Sequence, residues 1–218
     1  MNIFIIKLFT KGTYEYEQGA QEYCFGHKPP LVAIGWGLEK SEINDNENLE
    51  SLVLKKHKDS SKFWTAYNHL KNMKNGDFIW TQCNNGRNFM LGKVTDDNCF
   101  IDKNNPLIGF ARYCEWHTID FNDVPGEVIN SYQRKNRTLI MKHNLYDFEE
   151  YFNYLYNSSN YKLTKKLNYN KLLHYDDLED LLGIYLQKHE DFQYYIIPSS
   201  NKISTKLVEY ELRREKEG

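Results

Sequence analysis

The stretch "SSKFWTAYNHLKNMKNGDFIWTQC", residues 60–83, changes period halfway along its length. Ser60 or Ser61 can cap a helix, and Phe63, Tyr67, Leu70 and Met73 recur at helical spacing behind it. Asn75-Gly76 is suited to the left-handed conformation that ends a helix, which places the end there. From Asp77 onward "DFIWTQC" has the β-branched and aromatic content of a strand. A helix delivered through a tight turn into a strand predicts a mixed fold with helix packed on sheet.

Downstream, "NFMLGKV" (88–94), "FARYCEWHTI" (110–119) and "TLIMK" (138–142) read as further short strands. Clusters of Gly, Asn and Asp separate them at the spacing of a small barrel. Within "DVPGEV", Pro125-Gly126 suits the centre of a type II turn. Upstream, residues 3–9 and 31–35 are apolar runs that read as strands. A polar, aromatic loop lies between them, and residues 40–60 read as a charged connection with a short helix. The expected fold class is α+β, with a β-barrel and one prominent helix over residues 1–145.

Composition shifts after that. Residues 146–172 are rich in Tyr, Asn and Lys and read as a helix and linker. In residues 173–218, Asp176 or Asp177 can cap a helix striped by Leu178, Leu181, Leu182 and Tyr185, and two strands follow.

Bulk properties exclude several classes. The 218 residues are 40% hydrophobic and 27% charged, the pattern of an ordinary globular protein. Net charge is -2, so nucleic-acid binding would need a local patch or stacking rather than a general polycation. The first apolar run is too short for a membrane span and lacks a signal-like cleavage region. Four Cys without a C-x-x-C suggest reduced, cytosolic thiols, hence a cytoplasmic protein with no membrane partner. Cys114 and His117 form C-x-x-H, but residues three apart on a strand face opposite ways, so no metal is expected. No Gly-rich phosphate loop and no local Ser/His/Asp or Cys/His signature is present.

In "AIGWG", residues 33–37, Trp36 stands between Gly35 and Gly37. Glycines weaken a regular element, so a turn, or close approach of another flat group to the indole, would explain them. Trp36 and Trp80 each admit two readings, wall of a pocket or plug of the core. Trp116 has the same ambiguity, while Trp64 reads as packing at the helix start.

The order strand, loop, "AIGWG", helix, "MKNGDFIWT", "LGKV", strand resembles the PUA-like superfamily, in particular its EVE and YTH relatives. The resemblance covers residues 1–145. It implies a nucleic-acid-binding module in which a flipped, often modified base enters an aromatic pocket. DNA stands ahead of RNA, and a YTH-like RNA reader is the alternative. Stacking on one aromatic ring is worth about 1–3 kcal/mol, and extrusion of the base costs a few kcal/mol. One ring therefore only breaks even. Trp36 and Trp80 are the expected walls and Trp116 a third; Gly35 and Gly37 would clear the approach. Thr81, Gln82 and Asn84 would bond the base edge. Arg87, Arg134, Lys135 and Arg137 would contact phosphates, with Lys142, His143 and the Tyr-interleaved Lys162, Lys165, Lys166 and Lys171 extending the basic stretches.

The segment from Leu173 looks like the opening of an Mrr-related restriction-endonuclease-like domain. That resemblance implies a targeting role in a bacterial restriction (defence) system, or a modification-dependent endonuclease whose catalytic strand lies beyond residue 218. Glu179 falls in the helix position, and Glu209 and Glu211 share one face of "KLVEYEL". The Lys-bearing third strand should begin where "RREKEG" stands, so these carboxylates make an incomplete catalytic site. Mg²⁺ would enter only with a complete nuclease domain; otherwise no cofactor is expected. Oligomeric state has no signal in the sequence.

Overall fold

The computed structural model describes residues 1–7, 21–43, 48–83, 88–133, 139–141, 143–157, 172–173, 178, 181–182, 185, 194–198 and 210–214. The chain divides into two compact units, Met1–Leu172 and Leu173–Gly218. It is mixed α+β. Among the described residues no helix is long and apolar enough to cross a membrane.

The first unit is built on a curled sheet of β1 (Ile3–Ile6), β2 (Leu31–Ala33), β3 (Phe78–Gln82), β4 (Phe89–Val94), β5 (Phe100–Ile101), β6 (Phe110–Ile119) and β7 (Leu139–Met141). The order is β2-β6-β4-β3-β1-β7, with β5 also on β6. Residues 78–119 form the expected run of antiparallel strands. Among the described strands only β1 and β3 pair in parallel, with Ile3 opposite Phe78 and Ile5 opposite Trp80. Among the described residues no pairing joins β2 to β7, so the sheet is a half-barrel rather than a closed one.

All four residues of β1 are buried. A strand apolar on both sides needs cover on both faces. On one face, Phe4, Ile6, Ile79 and Val94 pack with Val53 of α2 (Leu49–Lys56) and with Phe63, Ala66 and Leu70 of α3 (Ser61–Lys71). On the other, Ile3, Ile5, Phe78, Trp80 and Leu91 pack with Val128 and Ile129 of α4 (Gly126–Gln133) and Phe152 and Tyr156 of α5 (Glu149–Asn157). The alternation of the strands assigns each side chain to its layer. The helix expected to lead into a linker is thus core of the first unit. Residues 21–26, here α1, are also helical, and Cys24 packs there with Leu31, Ala33 and Ala111.

Two turns differ from expectation. Ser60 Oγ caps α3 by accepting from the Phe63 N–H, but the helix stops at Lys71, ahead of Asn75-Gly76. Arg112, fully buried in β6, explains the early end. Its Nη1 donates to the carbonyls of Leu70 (3.2 Å) and Met73, groups that a longer helix would engage. Gly76 keeps its left-handed φ of 90°, now in the turn into β3. Asp77 fastens that turn: its carboxylate accepts from the Asn2 N–H (2.6 Å) and the Lys74 N–H (2.9 Å), holding the start of β1 beside β3. Pro125-Gly126 makes no type II turn. Gly126 opens α4, and the Pro125 carbonyl accepts from Val128 (2.9 Å) and Ile129 (3.2 Å). A proline lacking a donor fits a helix start, where that donor would have no partner.

Considered by itself, the second unit has helical positions at 178, 181, 182 and 185 and an antiparallel hairpin of β8 (Tyr194–Pro198) and β9 (Tyr210–Arg214). The helix-then-two-strands order expected from the sequence is present. Leu178, Leu181, Leu182 and Tyr185 are exposed.

Candidate functional site

Trp36 is the sole non-glycine with positive φ among the described residues, at 57°. A bulky side chain in that region costs on the order of 1–3 kcal/mol and persists only where surrounding structure imposes it. Here the imposing structure is backbone. The Gly35 N–H donates to the Ile108 carbonyl (2.9 Å), and the Leu38 N–H to the Pro106 carbonyl (3.0 Å). A Cβ at Gly37 would lie 1.9 Å from the Pro106 oxygen, and one at Gly109 2.0 Å from the Gly35 oxygen. Gly35 has open space where its Cβ would be but a φ of 75°. The two glycines flanking Trp36 therefore have distinct causes: left-handed backbone at Gly35, and close approach of the 106–109 segment at Gly37.

The Trp36 ring is half-buried and meets Phe63 edge-on, 6.2 Å between centroids at 76°. His57, just past α2, also lies against Phe63, at 5.1 Å and 30°. Lys56 Nζ donates to the Gly37 carbonyl (3.3 Å) and pairs with Glu42 (2.5 Å). Hydrogen bonding to Lys56 is the main reason the Glu42 carboxyl is held below its usual value. His57 is also held below its ordinary value, chiefly by burial and then by the Lys56 charge. Hydrogen bonding to the Gly37 and Trp36 backbone opposes that shift without reversing it. Residues 55–57 belong to a charged run that reads as a connection, and nothing local in that run signals that they buttress Trp36.

Trp80 occupies the other layer. It is fully buried and meets Phe152 edge-on at 5.4 Å and 71°. It faces α5 while Trp36 faces α3, so the structure does not bring the two indoles together as walls of one pocket. The register forces this: Trp80 alternates with Ile79, and it is Ile79 that shares the layer of Trp36. Thr81 is buried, and the Gln82 carbonyl accepts from Gln21 Nε2 (2.9 Å). Trp116 is half-buried in the Trp36 layer. Its Nε1 donates to the Leu31 carbonyl (2.8 Å), and its ring covers Gly92, where a Cβ would come within 2.7 Å. Those neighbours make Trp116 a packing residue where β4, β6 and β2 meet.

The remaining candidates fall elsewhere. Asn84, Arg87, Arg134, Lys135, Arg137, Lys142, Lys162, Lys165, Lys166 and Lys171 lie outside the described residues, as do Glu179 and Glu209. Glu211 is placed by its backbone alone, opposite Ile197 in the hairpin. Among the described residues no group of three His, Cys, Asp or Glu could hold a metal ion. A surface cavity of about 260 Å³ lies apart from Trp36, lined by Thr118, Ile119, Asp120, Asp123, Tyr154 and Leu155. Its two carboxylates repel a phosphate.

In comparisons with known proteins the chain matches no family model, no curated protein and no solved structure.

Proposed function

We propose that this chain is a nucleic-acid-binding module that reads a flipped, modified base, in DNA ahead of RNA, with Trp36 as the stacking surface. The single observation that carries the reading is the left-handed Trp36, held half-buried by backbone hydrogen bonds on both sides. A strained, rigidly presented aromatic ring suits a base, because every base has a face that can stack. Since one ring only balances extrusion, the reading requires a second contribution, and it cannot be Trp80. Targeting within a restriction system is the setting in which such a reader would work.

Fluorescence anisotropy with labelled oligonucleotides tests it, comparing plain DNA, DNA carrying 5-methylcytosine or N6-methyladenine, and methylated RNA. Trp36→Ala should weaken binding to the preferred modified strand roughly 5- to 150-fold, the range that removal of one stack allows. Equal affinity of parent and variant would remove Trp36 as the reader. The same 218 residues should not cut modified plasmid with Mg²⁺ or Mn²⁺, because the Glu179, Glu209 and Glu211 set lacks its Lys-bearing strand. Cleavage abolished by Glu211→Ala would favour the endonuclease reading instead.

A further inference from the structure

We infer that His27 and Asp102 form a protonation-dependent clasp, closed when the His27 ring carries a hydrogen on both nitrogens. It fastens the segment leading into Trp36 to the segment that clamps Trp36. The inference goes beyond the base-reading proposal and does not depend on it.

His27 stands just past α1, and its N–H donates to the Tyr23 carbonyl (2.9 Å). Its Nδ1 lies 2.6 Å from the Pro29 carbonyl oxygen. A carbonyl oxygen only accepts, so Nδ1 carries the hydrogen of that bond. Its Nε2 lies 3.5 Å from Asp102 Oδ2. In the neutral ring Nε2 therefore turns a lone pair toward a carboxylate, which is repulsive. With a second hydrogen the ring donates at Nδ1, keeps a hydrogen at Nε2 and gains an ion pair. The bond to Pro29 thus makes the contact with Asp102 attractive only in the charged form.

The other groups of the cluster keep one state while histidine titrates. Asp102 is 6% exposed; Tyr23 Oη donates to its Oδ2, and the Asn104 N–H to its Oδ1 (2.9 Å). Both bonds favour the ionised carboxylate. The Tyr23 hydroxyl is pushed up to about 12, by burial first and then by its bond to Asp102, so it stays a donor. Cys24, buried beside them, is also pushed up to about 12, chiefly by burial, and stays a neutral thiol. Glu22, Lys28 and Lys103, their neighbours in sequence, are exposed. The Tyr23 and His27 rings meet at 5.6 Å and 54°. The His27 side chain is 19% exposed, so protons reach it from solvent.

Placement gives the clasp its consequence. The two segments it joins meet again at Trp36, where the Gly35 N–H donates to Ile108 and the Leu38 N–H to Pro106. Those backbone bonds do not titrate. One pair of segments therefore has a permanent fastening at Trp36 and a proton-operated one at His27.

Nuclear magnetic resonance on the full chain tests this between about pH 5 and 8, the range in which histidine changes charge. Long-range nitrogen spectra report the His27 ring, whose signals are identified by their loss in His27→Gln. The neutral ring should be the Nδ1–H tautomer. Hydrogen exchange, corrected for its intrinsic pH dependence, is followed at the His27 and Asn104 amides, one on each segment. Protection should rise roughly two- to fivefold as the ring gains its second hydrogen, the effect of a partly exposed ion pair. That step should vanish in His27→Gln. It should persist in Tyr23→Phe, which keeps both partners, and in His57→Asn, which removes the other histidine near Trp36. A neutral ring protonated at Nε2, or a step that survives in His27→Gln, overturns the inference. If His27→Gln does not fold, the parent alone decides: protection that fails to track the His27 ring overturns it equally.

Discussion

Trp36 and Trp80 lie on opposite faces of one sheet, each edge-on to a phenylalanine from a different helix, Phe63 of α3 and Phe152 of α5. The two indoles therefore have different roles. Trp80→Ala should lose about 3–5 kcal/mol of stability, as expected for emptying a fully buried aromatic site. Trp36→Ala keeps the same backbone strain and gives up only a half-buried ring, so about half that loss or less is expected. Urea unfolding of the two variants distinguishes these values, and equal losses would contradict the layer assignment.

The backbone clasp around Trp36 has its own signature. Gly37→Ala and Gly109→Ala each drive a Cβ into a carbonyl oxygen at about 2 Å, so each should lower stability by at least 1–3 kcal/mol. Gly26→Ala meets nothing within 4 Å and should stay within about 0.5 kcal/mol of the parent. Thermal unfolding of the three variants checks the contrast.

Arg112 is a buried cation whose fork serves Asp96, Leu70 and Met73 together. Arg112→Lys keeps the charge but not the planar fork, and should lose about 3–5 kcal/mol. Asp96→Asn should lose a comparable amount, since it leaves the fully buried guanidinium without its counter-charge and offers one acceptor oxygen where the carboxylate accepts from both Arg112 Nε and the Tyr113 N–H. Denaturant midpoints give both values; a harmless Arg112→Lys would show that the fork does not terminate α3.

His57 should make stability depend on pH below neutrality. Burial holds its folded pKa below the ordinary 6.5. As pH falls through that value, the unfolded chain takes up the proton first. Stability is therefore complete above about pH 6.5 and declines beneath it. The drop in urea midpoint between pH 7.5 and pH 5 should be smaller in His57→Asn than in the parent. An identical drop would mean that His57 is not desolvated.

What is legible in the sequence is local. The period of "FARYCEWHTI" marks a strand, and β6 spans residues 110–119 as expected. Ser60 marks the start of α3 because a cap acts within three residues. The end of α3 is not legible, because Arg112 sets it from about forty residues away and no local pattern carries that information. The pairing of Trp36 with Trp80 fails for a related reason. Alternation shows that Trp80 and Ile79 face opposite ways, but only the packing of α3 and α5 decides which of them meets Trp36's layer. The buttress from Lys56 and His57 is hidden in a run whose charges resemble any solvated surface.

β1 is synthesised long before either of its partners. β1 begins at Ile3, yet it lies between β3 and β7, whose residues follow it by about 75 and 135 positions. At ~5–20 residues per second, β1 waits on the order of ten seconds for the first of those partners. During that interval "IFII" is an uncovered apolar segment with both edges unpaired, the kind of nascent chain that holding chaperones capture. Delayed closure around β1 is thus a property of how this molecule is synthesised, fixed by its strand order.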